Sequence, residues 1–243
     1  MDILFGVLWT VLYFAVVLLG LSVFLKLVVR APKEIVRKTQ HLGYAFSIFL
    51  FLYLFDSWWV SVLVLIGFMA VIFVAVWGFE HTPYYRRLLV DRKRKGGEIK
   101  YSAILALLSF AILITFFGHV LPYSSNAIVV ISVMCWGVGD ALAALIGKRF
   151  GNKKLSWPGT DKKKTWTGSV AMDIGVFIVA FLMLWFYGGY LWWVAIVIAA
   201  MVSSVATFAE AFAKNGWDTL VLPLSAAITL YLMTWLFIGI GVM

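Results

Sequence analysis

The sequence predicts an all-α integral membrane protein that crosses the bilayer about eight times, with its N-terminus outside. Two observations carry this expectation. Of 243 residues, 64% are apolar and only 13% are charged, and the mean hydropathy is +1.01. Soluble domains run nearer about 45–50% apolar. The second observation is the placement of charge: long apolar runs alternate with loops, and every lysine and arginine falls on one set of loops.

A bilayer core takes about 20 apolar residues per helix. Runs of that length cover Ile3–Val29, Ile35–Phe55, Trp58–Phe79, Tyr101–Leu121, Asn126–Ile146, Ser169–Tyr187, Tyr190–Ala213 and Leu220–Ile240. With the N-terminus outside, the loops after the first, third, fifth and seventh runs face the cytoplasm. They hold all 20 basic residues. Lys26, Arg30, Lys33, Arg37 and Lys38 follow the first run. Arg86, Arg87, Arg92, Lys93, Arg94, Lys95 and Lys100 follow the third. A further group between Lys148 and Lys164 follows the fifth, and Lys214 follows the seventh. The opposite loops, near Asp56, Pro122 and Gly188, hold none. Cationic loops stay in the cytoplasm, so this asymmetry sets orientation. It also allows contact with anionic lipid. The chain reads as one transmembrane domain over residues 1–243, with longer cytoplasmic loops at 80–100 and 148–168.

The first run lacks a basic leader and a small-residue cleavage site, so it reads as a retained helix. A single cysteine, Cys135, excludes an internal disulfide. Within an apolar run it reads as an inert thiol. The 12 tryptophans suit the two membrane interfaces. No GxxxxGK[ST], HExxH or CxxC occurs, which excludes P-loop, zincin and thioredoxin-type chemistry.

Ionisable groups within apolar runs are expensive, about 2.5–3.5 kcal/mol at a helix centre, and so mark function. Asp140, Asp173, Glu210 and His41 all map to the leaflet that carries the cationic loops. Gly139, Ala143 and Gly147 recur at i, i+4 and i+8, a small-residue stripe that admits a close helix neighbour. Ser203, Thr207 and Glu210 form a polar stripe on the seventh helix. Arg37 and Lys38 lie one turn from His41. The second, fifth, sixth and seventh helices are therefore expected to turn polar patches toward one cavity at the cytoplasmic boundary.

The segment from Gly137 to Ser169 is GVGDALAALIGKRFGNKKLSWPGTDKKKTWTGS. Gly147 and Gly151 allow φ > 0 and a close backbone approach to a ligand. Lysines cluster before Thr165 and Gly168, where a helix N-terminus offers partial positive charge. Asp140 is suited to a hard cation. Glycines, lysines, a helix start and a carboxylate are the parts of a polyphosphate site.

This segment resembles the CTP-dependent lipid kinases: the dolichol and polyprenol kinases, with phytol/farnesol kinases and the CTP-dependent diacylglycerol kinase as relatives. The resemblance rests on Asp140, Ala143, Gly147 and Gly151; on Trp157, Pro158, Gly159 and Thr160; and on Lys163, Lys164, Thr165 and Gly168. Thr167 stands where the family has glutamate, so Asp161 or Asp173 would have to replace that carboxylate. Arg37-Lys38-x-x-His41 resembles the family's early basic motif. Glu210 with Asp218-Thr-Leu220-x-x-Pro223 resembles its late acidic segment, with Thr219 where Asn is usual. The resemblance implies a kinase that moves the γ-phosphoryl of CTP to a long isoprenoid alcohol and releases CDP. It implies phosphate contacts from Arg37, Lys38, Gly147, Gly151, Lys163, Lys164, Thr165 and Gly168. It also implies Mg²⁺ on Asp140, with Asp173 as a further metal residue, and catalytic roles for Asp140, Lys164, Glu210 and His41; Glu210, His41 or Asp173 could accept the hydroxyl proton or hold a second metal. Partners are then the lipid alcohol, CTP and membrane lipids, with no nucleic acid and a homodimer allowed. The expected location is a prokaryotic cell membrane, or alternatively the endoplasmic reticulum. A CTP:phosphatidate cytidylyltransferase would use similar parts. A transporter of an anionic solute would too, but it should show paired broken helices, and no such symmetry is visible.

Overall fold

The computed structural model describes residues 3–79, 82, 97–214 and 216–242. Arg86, Arg87, Arg92, Lys93, Arg94 and Lys95 of the second basic loop lie outside these residues. Among the described residues eight long helices follow one another. Helix α1 spans Ile3–Leu27, with a π-helical stretch at Phe14–Gly20. Helix α2 is Lys33–Tyr53 and α3 is Trp58–Phe79. Helix α4 starts as Gly97–Ile112 and continues in π-helical form over Leu113–Val120. Then come α5 (Asn126–Phe150), α6 (Trp166–Phe186), α7 (Trp192–Phe212) and α8 (Asp218–Gly239). Among the described residues the only extended pairing is one isolated bridge, Lys154 with Thr165. The protein is an all-α polytopic membrane protein, as expected. Closed helices satisfy every backbone group internally, which hydrocarbon requires.

Seven of these helices are long and apolar enough to cross a membrane. The eighth, α2, has comparable length but differs in chemistry. Its first three turns carry Lys33, Glu34, Arg37, Lys38 and His41, and the apolar run begins only after them.

The chain divides into two compact units, Met1–Ala111 and Ile112–Met243. In the first, Phe14, Phe51 and Phe68 bring α1, α2 and α3 together through edge and tilted ring contacts. The Tyr13 hydroxyl donates to the Gly43 carbonyl at 2.7 Å, a polar tie between α1 and α2.

The second unit is built around α5, which is buried along most of its length. It packs against α6, α8 and the π-helical end of α4, while α7 packs against α6 and α8. Ser125 caps α5 by accepting the Ala127 N–H at 3.0 Å. Lipid is as apolar as leucine, so close packing must hold such helices together. The small-residue stripe does this, and its partner is α6. A Cβ on Gly139 would lie 2.6 Å from Val176 and 3.3 Å from Met172. One on Gly168 would lie 2.8 Å from the Ala143 carbonyl and 3.2 Å from the Gly147 Cα. Backbone cannot yield as a side chain does, so Gly168→Ala is expected to cost about 1–3 kcal/mol. Thermal unfolding in detergent reads this, and an unchanged midpoint would contradict the close α5–α6 crossing.

Candidate functional site

Helix α5 runs to Phe150 and α6 begins at Trp166, so the loop between them spans residues 151–165. Gly147, Lys148 and Arg149 are helical. The loop is short, ordered and internally bonded. Trp157-Pro-Gly-Thr160 forms a tight turn. Thr160 donates from its N–H to the Trp157 carbonyl at 3.2 Å, and Gly159 takes φ +87°. Proline first and a positive-φ glycine second is the chemistry of a type II turn. The Thr160 hydroxyl reinforces it, donating to the same carbonyl at 2.8 Å. Next, Asp161 Oδ1 accepts the Lys163 N–H at 3.0 Å. Asp161 is thereby a turn-forming residue. The Trp157 and Trp166 rings meet edge to face at 5.3 Å, both exposed, flanking the loop.

The expectation of φ > 0 at Gly147 and Gly151 is corrected. Neither has positive φ; Gly159 does. A Cβ on Gly147 would lie 2.9 Å from the Thr165 hydroxyl, and one on Gly151 would collide with the same side chain. The Gly151 N–H donates to the Gly147 carbonyl at 3.0 Å, closing the last turn of α5. These glycines make room for Thr165 and α6.

The start of α6 is likewise occupied by the chain itself. Thr165 is its N-cap and accepts the Gly168 N–H at 3.2 Å. The Trp166 N–H donates to the Lys153 carbonyl at 3.0 Å, and the Leu155 N–H to the Lys164 carbonyl at 3.0 Å. Most donors that the sequence offered to phosphate here are used to fix the loop.

What the loop delivers is Lys164. Its Nζ lies 2.8 Å from Glu210 Oε1 and also donates to the Glu210 carbonyl oxygen at the end of α7. Asp161 N–H donates to the Ala211 carbonyl at 3.2 Å, and Gly159 lies against the Phe212 ring. The loop therefore docks on the C-terminus of α7 through a lysine, which suits the negative end of a helix. Glu210 is 6% exposed and Asp140 is 5% exposed. Lys164, Asp140 and Asp218 lie within electrostatic reach of Glu210. Asp218 opens α8, where its Oδ1 accepts the Thr219 N–H at 2.9 Å.

The second unit thus brings together three residues expected from the sequence, Asp140, Lys164 and Glu210, and adds Asp218. Lys163 is exposed, as are Lys148, Lys153, Lys154 and Lys162. Asp173 lies in the second turn of α6. Arg37, Lys38 and His41 belong to the first unit. Arg37 pairs with Glu34 at 2.5 Å on the same helix. Lys38 is among the largest buried side chains of the described residues, at 2% exposure. A lysine so buried must be compensated, which sets it apart from the solvated lysines of the loop.

A group of buried acids held beside a lysine, at the helix ends bordered by a cationic loop, is suited to bind a metal–phosphate group. A match to a family model covers residues 2–213 and is described as the cytidylyltransferase family. The chain belongs to that family. Among its relatives is the phytol kinase of Synechocystis sp. (strain ATCC 27184 / PCC 6803 / Kazusa). It is 29% identical over 210 residues, 86% of this chain and 83% of that protein. Phytol kinase 1, chloroplastic, of Arabidopsis thaliana is 31% identical over 130 residues, 51% of this chain and 42% of its own. The probable phytol kinase 1, chloroplastic, of Oryza sativa subsp. japonica is 30% identical over 118 residues, 46% of this chain and 37% of its own. The chain spans less than half the length of these plant proteins. The matches agree with the resemblance to the CTP-dependent lipid kinases.

Proposed function

We propose that this protein is a CTP-dependent kinase of a membrane isoprenoid alcohol of the phytol type, acting at the cytoplasmic face. The observation that carries the reading is the buried Asp140–Glu210–Lys164 group in a chain that aligns with a phytol kinase over most of both lengths. Dolichol and longer polyprenols are secondary candidates, since the relatives are phytol kinases by name.

Phosphoryl transfer asks for positioning and charge neutralisation more than covalent help from the protein. Here the alcohol oxygen bonds to the γ-phosphorus as the bond to the β-phosphate oxygen breaks. CDP leaves, and the hydroxyl proton passes to a carboxylate. Lys164 supplies a fixed cation for the phosphates. Its partner Glu210 holds it in place before substrate arrives, so little reorganisation is needed. Lys163 and the other exposed lysines add a general positive field that draws CTP to the membrane surface.

The residues fit Mg²⁺. Asp140 and Glu210 are buried carboxylates within electrostatic reach of each other, and oxygen donors are what this hard cation takes. Among the described residues no three acidic, histidine or cysteine side chains form a chelating group. An ion here would be held by one or two carboxylates, with substrate phosphates completing its shell. Asp140, with Glu210 beside it, would hold the ion, which would neutralise charge on the transferring phosphoryl group.

The test uses purified protein with γ-labelled CTP and a panel of phytol, geranylgeraniol, dolichol, diacylglycerol and phosphatidate. Label in a lipid monophosphate with release of CDP is the expected result. Release of pyrophosphate with phosphatidate as acceptor would instead establish a cytidylyltransferase. Orientation is tested separately by a cysteine placed at Asn152 in the exposed loop. It is expected to resist impermeant thiol reagents in intact cells and to react after permeabilisation. Labelling from outside would invert the topology.

A further inference from the structure

Helices α6 and α7, which pack together, carry three buried side-chain oxygens that lack a hydrogen-bond partner among the described residues. They are Ser169 Oγ and Asp173 Oδ1 on α6 and Thr207 Oγ1 on α7. Ser169 and Asp173 are four residues apart, so they stand one above the other on one face. Thr207 lies one turn before Glu210. The Lys164–Glu210 pair ties the start of α6 to the end of α7, which puts these oxygens one to two turns into the bundle from the same end.

Asp173 lies close to the level of Asp140. Gly139 packs directly on Met172, and Asp140 and Asp173 are the next residues of the two helices. Gly175 meets Leu142 on one flank of the α5–α6 contact. The helical turn places Asp140, Ser169 and Asp173 on the other flank.

A buried oxygen without a partner is costly. Ser169 and Asp173, stacked one turn apart on α6, form a polar step in an otherwise apolar helix, with Thr207 on the neighbouring helix α7. A carboxylate oxygen accepts a hydrogen bond, and a serine or threonine hydroxyl can donate or accept. The matching partner is a hydroxyl group, which donates to Asp173 and accepts from Ser169. Both a lipid alcohol and a water molecule carry that chemistry. Beside the step, Val170, Ile174 and Ile178 form an exposed apolar lane along α6, at i, i+4 and i+8. An isoprenoid chain could lie there with its head turned inward.

We infer that the Ser169–Asp173 step holds the hydroxyl of the acceptor alcohol, close to the level of Asp140. This rests on the kinase reading and assigns Asp173 to the acceptor alcohol rather than to a metal, the two roles the sequence leaves open for it.

The experiment measures KM for phytol and KM for CTP separately in wild-type, Asp173→Asn and Ser169→Ala proteins, together with their thermal unfolding in detergent. It adds photolabelling by a diazirine-bearing phytol analogue with no CTP present. Loss of one hydrogen bond to a charged group is expected to raise KM for phytol about tenfold or more in Asp173→Asn, and by less in Ser169→Ala, with KM for CTP unchanged. The analogue is expected to label α6 of the wild type, with phytol competing, and labelling should fall in Asp173→Asn. If the step holds only water, both variants shift the unfolding midpoint while KM for phytol and labelling stay as in the wild type, and the inference fails. An equal rise in both KM values overturns it too. Absence of any lipid monophosphate from the wild type would refute the kinase reading. Photolabelling would still decide whether the step binds an alcohol.

Discussion

Asp140→Asn is expected to abolish phosphorylation, with a loss of at least about 10³-fold, while the protein still folds and inserts. The substitution removes a charge and keeps the volume, so packing along α5 is preserved. Asp140 is 5% exposed and sits within electrostatic reach of Glu210, which is itself buried. Asparagine offers one carbonyl oxygen of lower charge, a poor replacement for a carboxylate toward a hard divalent cation. A group that stabilises the transferring phosphoryl charge contributes several kcal/mol, and each 1.36 kcal/mol is about tenfold in rate. Turnover with γ-labelled CTP across a Mg²⁺ titration provides the check, with size-exclusion and thermal unfolding as controls for the fold. Half of wild-type activity in Asp140→Asn would remove this residue from the metal site. Loss of folding together with activity would make its role structural.

The spans were legible because each is a long apolar run and because the lysines and arginines cluster, along the sequence, at alternate breaks between those runs. Both are properties of the chain read locally. Helix α2 was legible in length, although its charged first turns separate it from the seven apolar helices. The stripe Gly139, Ala143, Gly147 announced a close neighbour, and α6 is that neighbour. The loop was harder to read. Its glycines and helix start looked free to meet phosphate, yet Thr165 caps α6 and Lys153 takes the Trp166 N–H. Those bonds join positions whose pairing no periodicity reveals. Lys164 and Glu210 are 46 residues apart, and only the fold shows that they meet. Asp218 carried a signal in its resemblance to an acidic motif, but its nearness to Glu210 needed the α7–α8 turn. Ser169 carried a weaker one: with Asp173 it makes a polar i, i+4 pair inside an otherwise apolar run.

Lys164→Ala is expected to lower kcat/KM by roughly 10²–10³-fold, about 2.7–4 kcal/mol, the scale of removing one preorganised charge from a transition state. The sequence ranks Lys163 with Lys164, and the structure separates them. Lys164 is largely buried and bonded to Glu210, whereas Lys163 is exposed. Lys163→Ala should therefore cost less, about tenfold, as one member of an attractive field. Lys153→Ala and Lys154→Ala alter exposed side chains and should leave stability within about 0.5 kcal/mol of the wild type. A purely structural role for Lys164 must be separated from a phosphate-holding one, because its removal leaves Glu210 buried without its cation. Breaking such a pair is destabilising by about 3–5 kcal/mol. The double variant Lys164→Ala/Glu210→Gln removes that stranded charge. Its unfolding midpoint is expected to recover toward the wild type, while its phosphorylation stays below that of Glu210→Gln alone, the control needed because Glu210 would also hold the ion. Recovery of activity along with stability would reduce Lys164 to a pin that docks the loop on α7. Equal loss in all four lysine variants would replace the discrete site with a diffuse positive field.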